Sequence, residues 1–92
     1  MSIEFEWDQN KASSNFTKHG VSFDEAKSVF ADPLYVDLHD PDHSYNEHRY
    51  IIVGQSHNNR LLLVAYAERG NTIRLISARE ATRRERKVYE EG

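Results

Sequence analysis

The sequence predicts an α+β domain, in which a pair of helices near the N-terminus packs on an antiparallel sheet and a basic helix ends the chain. Three observations predict it. Apolar residues at helical spacing stop at about residue 32, period-two and continuous apolar runs fill residues 34–77, and short turn signals separate those runs. A single domain over residues 1–92 accommodates all of them.

The first element is a short strand, in which Ile3, Phe5 and Trp7 alternate with Glu4, Glu6 and Asp8. Asp8 is placed to cap a helix that ends at His19-Gly20, with Gly20 suited to the left-handed position after a helix. Ala12 and Phe16 share one face of this helix, and Lys11, Asn15 and Lys18 another. Ser22 and Glu25 make a capping box for a second helix, Val21 can staple onto Ala26, and Phe23, Ala26, Val29 and Phe30 mark its apolar face. Asp32-Pro33 stops it, so the tight turn at Gly20 implies a helical hairpin.

Leu34, Val36 and Leu38 then alternate with Tyr35, Asp37 and His39, and residues 40–48 form a polar loop. Residues 49–56 read as a strand and 57–59 as a turn. Residues 60–67 are the most apolar strand, whose unbroken run suits a central position covered on both faces. Arg69-Gly70-Asn71 is a hairpin turn, and Thr72 to Ser77 the last strand, with the chain turning at Arg79. Short turns between these strands imply an antiparallel meander. Thr82 and Glu85 form another capping box. The helix they open is basic on nearly every side, with only Val88 and Tyr89 as sizeable apolar groups, so the expectation is a mobile or partner-held helix.

Charge is divided unevenly. Residues 69–92 hold seven Lys and Arg against four Glu, whereas residues 1–68 hold five against eleven Asp and Glu. A cationic end on an acidic body points to an anionic partner docking at one place. The lack of cysteine removes disulfides and thiolate zinc sites and fits a reducing cytoplasm. No apolar run approaches the ~18 residues of a membrane span, and the first residues carry no pattern of an export signal.

Several side chains can carry chemistry. Arg69, Arg74 and Arg79 can pair bidentately with phosphate and stabilise charge developing on it; as surface residues they equally balance the acidic groups. His19 closes a helix, where the dipole favours its protonated form, and can move protons or simply cap carbonyls. Glu68 beside Arg69 can take a proton from a ribose 2′-hydroxyl or form an ordinary hairpin salt bridge. His39, His43 and His48, with Asp37, Asp40, Asp42 and Glu47, have a spacing loosely like a metal site, but they sit in a loop without the rigid support such sites need. Tyr50, Tyr66 and Tyr89 can stack on bases; Tyr66 follows the apolar run and suits the core, while Tyr89 suits a ligand contact. These residues alone lead to a small α+β domain that binds an anion, either as an enzyme or as a non-catalytic interaction module whose basic end holds an acidic partner or nucleic acid.

The blocks KHG at 18–20, SFDEA at 22–26, RYIIVGQS at 49–56, ERG at 68–70 and ISAR at 76–79, with ATRRER at 81–86, occur together and in order. In this combination the chain resembles the BrnT family of toxins from bacterial type II toxin–antitoxin systems. The resemblance implies a RelE-like fold and a cytoplasmic, metal-independent ribonuclease that needs no cofactor and cuts RNA to halt translation. It implies a ribbon-helix-helix (BrnA-like) antitoxin as partner, with promoter DNA reached only through that antitoxin. Carried onto this sequence, it places catalytic roles at Lys18, His19, Glu68, Arg69 and Arg79. RNA contacts are then expected from Arg74, Arg83, Arg84, Arg86, Lys87 and Tyr89.

Overall fold

The computed structural model describes residues 3–38 and 49–92. The order is β1 (Glu4–Glu6), α1 (Gln9–His19), α2 (Phe23–Ser28) running into a 3-10 turn (Val29–Ala31), β2 (Val36–Leu38), β3 (Arg49–Gln55), β4 (Leu61–Arg69), β5 (Thr72–Glu80) and α3 (Arg83–Glu91). The fold is therefore α+β, as expected. The sheet, however, is mixed and not wholly antiparallel. β2, β3, β4 and β5 form the meander, and β1 adds to its far side in parallel with β5, giving the order β1-β5-β4-β3-β2. Nothing in β1 itself names its neighbour, because the pairing joins Glu6 to Arg74 across most of the chain.

Local signals hold where one side chain completes one backbone feature. The Asp8 carboxylate accepts from the N–H groups of Asn10 and Lys11 at 2.7 and 3.3 Å, and Gly20 adopts φ +71° behind α1. Ser22 accepts from the Glu25 N–H at 3.0 Å, but the Glu25 side chain turns to Arg60 instead of closing the box. At Thr82 the capping box is complete.

The apolar face of α1 is not the expected one. Phe16 is 57% exposed and Asn15 is buried. The Asn15 amide donates to the carbonyls of Val21 and Ala78 at 2.9 and 2.8 Å and accepts from the Ala78 N–H at 3.1 Å. β1 pairs only with residues 72–74 of β5, so Asn15 supplies at Ala78 the partners that an adjacent strand would have given. This contact accompanies the continuation of β5 to Glu80, beyond the expected end at Ser77, which puts Arg79 inside the strand.

β4 is the central strand, and every residue from Leu61 to Ala67 is buried. One face packs Ile52, Leu62, Val64, Tyr66, Ile73, Leu75 and Ala78 against Val21, Phe23, Ala26 and Val29. Tyr66 is thus a core residue, as expected. α3 packs on β3 without a fully buried residue, and its hold on the domain is polar. The Tyr89 hydroxyl donates to Asp32 at 2.7 Å, and Arg79 bonds Glu85 through both carboxylate oxygens at 2.9 Å. Among the described residues no helix is long and apolar enough to cross a membrane.

A candidate phosphate-binding face of the sheet

Successive residues of a strand point to opposite faces, so register fixes which charged side chains meet. The strand residues of the core cluster define the face covered by α1 and α2. Their alternates, Val53, Leu61, Leu63 and Ala65, occupy the other face. The pairing of Arg49 with Ala67, Ala67 with Arg74, and Arg74 with Glu6 places those four residues in one row across that second face. Arg69 pairs with Thr72, two residues further along, and is therefore a diagonal neighbour of both Arg49 and Arg74, at about 7–8 Å by sheet geometry. Three arginines surround Ala67, itself fully buried.

Each arginine has a different setting. Arg74 bonds Glu6 at 3.3 Å on the same face. Arg79, paired with Leu63, shares the face but is engaged by Glu85 of α3. That hydrogen-bonded pair holds the Glu85 carboxyl below its usual range, chiefly through the Arg79 bond and against desolvation, and holds Arg79 protonated. Arg69 is exposed at the end of β4.

The expected catalytic set is not one cluster. Arg69 lies opposite Thr72 and Arg79 opposite Leu63, six residues along β4, or about 20 Å at the rise of a strand. Glu68 and Arg69 are adjacent in sequence but point to opposite faces; Glu68 pairs with Ile73 on the helix side and is exposed. Lys18 and His19 also lie on the helix side. They line a groove of about 330 Å³ with Lys11, Ser14, Ile76 and Ser77, beside the stretch of β5 that β1 leaves uncovered.

Of the expected RNA contacts, Arg83, Arg84, Arg86 and Lys87 are exposed on α3. Tyr89 is half-buried and bonded to Asp32. Burial raises the Asp32 carboxyl, but the Gln55 N–H, the Tyr89 hydroxyl and the Leu34 N–H outweigh it, and the group lies below its ordinary value. Tyr50 stacks on Tyr66 with ring centres 5.5 Å apart, on the helix side. His39, His43 and His48, with Asp40, Asp42 and Glu47, lie outside the described residues.

Two members of the face, Arg49 and Glu6, carry no functional signal in the sequence. Glu6 alternates with Phe5 and Trp7 and Arg49 only opens an apolar run, so it is the register that shows both falling in one row with Arg74.

A family model described as the ribonuclease toxin BrnT of type II toxin–antitoxin systems matches residues 7–85. Among solved structures, the crystal structure of the Brucella abortus ribonuclease toxin BrnT has a similar fold, with a TM-score of 0.69 and 19% identity over 89% of this chain and 100% of that one. No curated protein matches the chain. With the family model spanning most of the sequence and the fold shared, the chain belongs to the BrnT family of ribonuclease toxins from type II toxin–antitoxin systems.

Proposed function

We propose that this toxin is a cytoplasmic, metal-independent endoribonuclease that cleaves RNA on the arginine-bearing face of its sheet. The observation that carries the reading is the register that puts Arg69 and Arg74 on one face beside small Ala67, with Arg79 further along it. Guanidinium forks on a rigid sheet suit a phosphodiester whose charge grows during reaction.

In the proposed step the 2′-hydroxyl loses its proton to a carboxylate, its oxygen bonds to the adjacent phosphorus, and the bond to the 5′-oxygen breaks, with that oxygen taking up a proton. The products are a 2′,3′-cyclic phosphate and a free 5′-hydroxyl. Glu6, on the same face and 3.3 Å from Arg74, is the carboxylate placed to receive the proton. Glu68 and His19, behind the sheet, serve if the scissile bond instead sits at the sheet edge, where Lys18 adds positive charge. Separate Glu6→Gln, Glu68→Gln and His19→Gln proteins decide between these positions. Loss confined to Glu6→Gln places the reacting phosphate over Ala67.

The family reading brings an antitoxin that neutralises this activity; we propose one of the ribbon-helix-helix class, through which promoter DNA is bound. The activity is tested by incubating purified protein with RNA in EDTA and identifying the new ends. Cyclic-phosphate products are expected. Intact RNA with and without Mg²⁺, or cleavage that requires the metal, sinks the proposal.

A further inference from the structure

The arginine row contains one side chain with an unmet requirement. Arg74 is answered by Glu6 and Arg79 by Glu85. Arg49 differs, because its Nε is shut off from solvent and bonds to no acceptor among the described residues. A guanidinium N–H removed from water without a partner is unfavourable, more so than a neutral donor. Arg49 begins β3 directly opposite Ala67, across which lies Arg74, with Arg69 on the diagonal. Ala67 at the centre brings no polar group of its own, and the surrounding cations specify the sign of a ligand held there.

We propose that Arg49 is a substrate-binding residue of this toxin, completing with Arg69 and Arg74 a three-arginine seat over Ala67 for the phosphodiester backbone of a single RNA strand. The inference rests on the RNA-cleaving reading above and adds a residue that neither the sequence nor the comparisons assign. A phosphate oxygen meets the requirement directly: it accepts from Nε and a terminal N–H of the same fork. The orphaned donor is then a local instability kept for the ligand, like other strained features of binding sites.

The test uses the full chain and a short single-stranded RNA fully 2′-O-methylated, which cannot cleave itself. Binding is followed by fluorescence anisotropy from 50 to 200 mM salt, and each protein's melting temperature is measured without RNA. Arg49→Ala is expected to weaken binding about tenfold and to reduce the slope of log affinity against log salt by about 0.7, the share of one single-strand phosphate. Arg49→Lys is expected to keep the slope and recover part of the affinity, because it restores the charge but not the fork. The melting temperature of Arg49→Met is expected to be unchanged or raised, since it removes an unsatisfied donor while keeping an apolar stem. Affinity and slope equal to wild type in Arg49→Ala overturn the inference and leave the RNA reading standing. Weakened binding accompanied by a lowered melting temperature in both Arg49→Ala and Arg49→Met also overturns it, by making Arg49 a scaffold residue. A wild-type protein that neither binds nor cleaves RNA removes the functional reading itself.

Discussion

Asn15 lies on a face of α1 that its neighbours Lys11 and Lys18 mark as polar, yet it is buried because the uncovered edge of β5 at Ala78 needs a hydrogen-bond partner. Asn15→Ala leaves two carbonyls and one N–H unpaired, and a loss of about 2–4 kcal/mol is expected in urea unfolding. Asn15→Asp is expected to be at least as harmful, since a carboxylate accepts but cannot donate to Ala78 and Val21. Glu25 is a second buried polar residue with long-range consequences. Its carboxylate receives Arg60 and the Ser56 hydroxyl, while Arg60 also reaches Glu80 and the Gly20 carbonyl. The Arg60 hydrogen bonds are the main cause that takes the Glu25 pKa from 4.5 to about 2, against desolvation. A depressed carboxylate stabilises the fold fully above about pH 4.5, and the contribution is lost as pH falls towards 2. Its size is about 3 kcal/mol. Wild-type stability is therefore expected to fall more steeply between pH 4.5 and 2 than that of Glu25→Gln, in acid-titrated melting curves.

At the scale of elements, β3 and the 3-10 turn approach closely at Gly54. A Cβ there would lie 2.9 Å from Val29 Cγ1 and 3.0 Å from Tyr35 Cβ. Gly54→Ala is expected to destabilise by about 1–3 kcal/mol, visible as a lowered urea midpoint with an unchanged m-value. α3 makes the opposite point, because its composition suggested weak anchoring. None of its residues is fully buried; its hold comes instead from Glu85 at one end and Tyr89 near the other. Tyr89→Phe removes the bond to Asp32 and is expected to cost about 1 kcal/mol and to speed amide exchange across residues 83–91 relative to β4. Unchanged exchange in α3 would show that the Asp32 bond does not hold the helix down.

For the whole molecule, a net charge of −3 conceals a basic sheet face and a basic terminal helix. The salt dependence of RNA binding distinguishes them. Three arginines around Ala67 give a log–log slope of about −2, so affinity falls roughly 20-fold between 50 and 200 mM salt. If Arg83, Arg84, Arg86 and Lys87 also meet phosphates, the slope steepens to about −5 and the loss approaches a thousandfold. The shallower slope is expected, because Glu85 and Tyr89 fasten α3 to other partners. A slope near −5 places the helix in the RNA interface.

The elements were legible from local chemistry: caps at Asp8 and Thr82, the left-handed Gly20, the apolar stretch of β3, the alternation in β5, and the unbroken apolar run of β4. Each is settled by residues within a turn or two of one another. Alternation also told which residues of one strand share a face, so Ile73 and Leu75 were separable from Arg74. It does not tell which strands lie side by side or in what register, since those pairings are decided by packing between distant segments. That is why β1 could not be placed beside β5 and why Arg49 was not joined to Arg69 and Arg74. It is also why Arg69 and Arg79, both on strands that the turns already linked, emerge some 20 Å apart. Charge counting found the cationic part of the chain; the register of the folded sheet decided which arginines of it share a face.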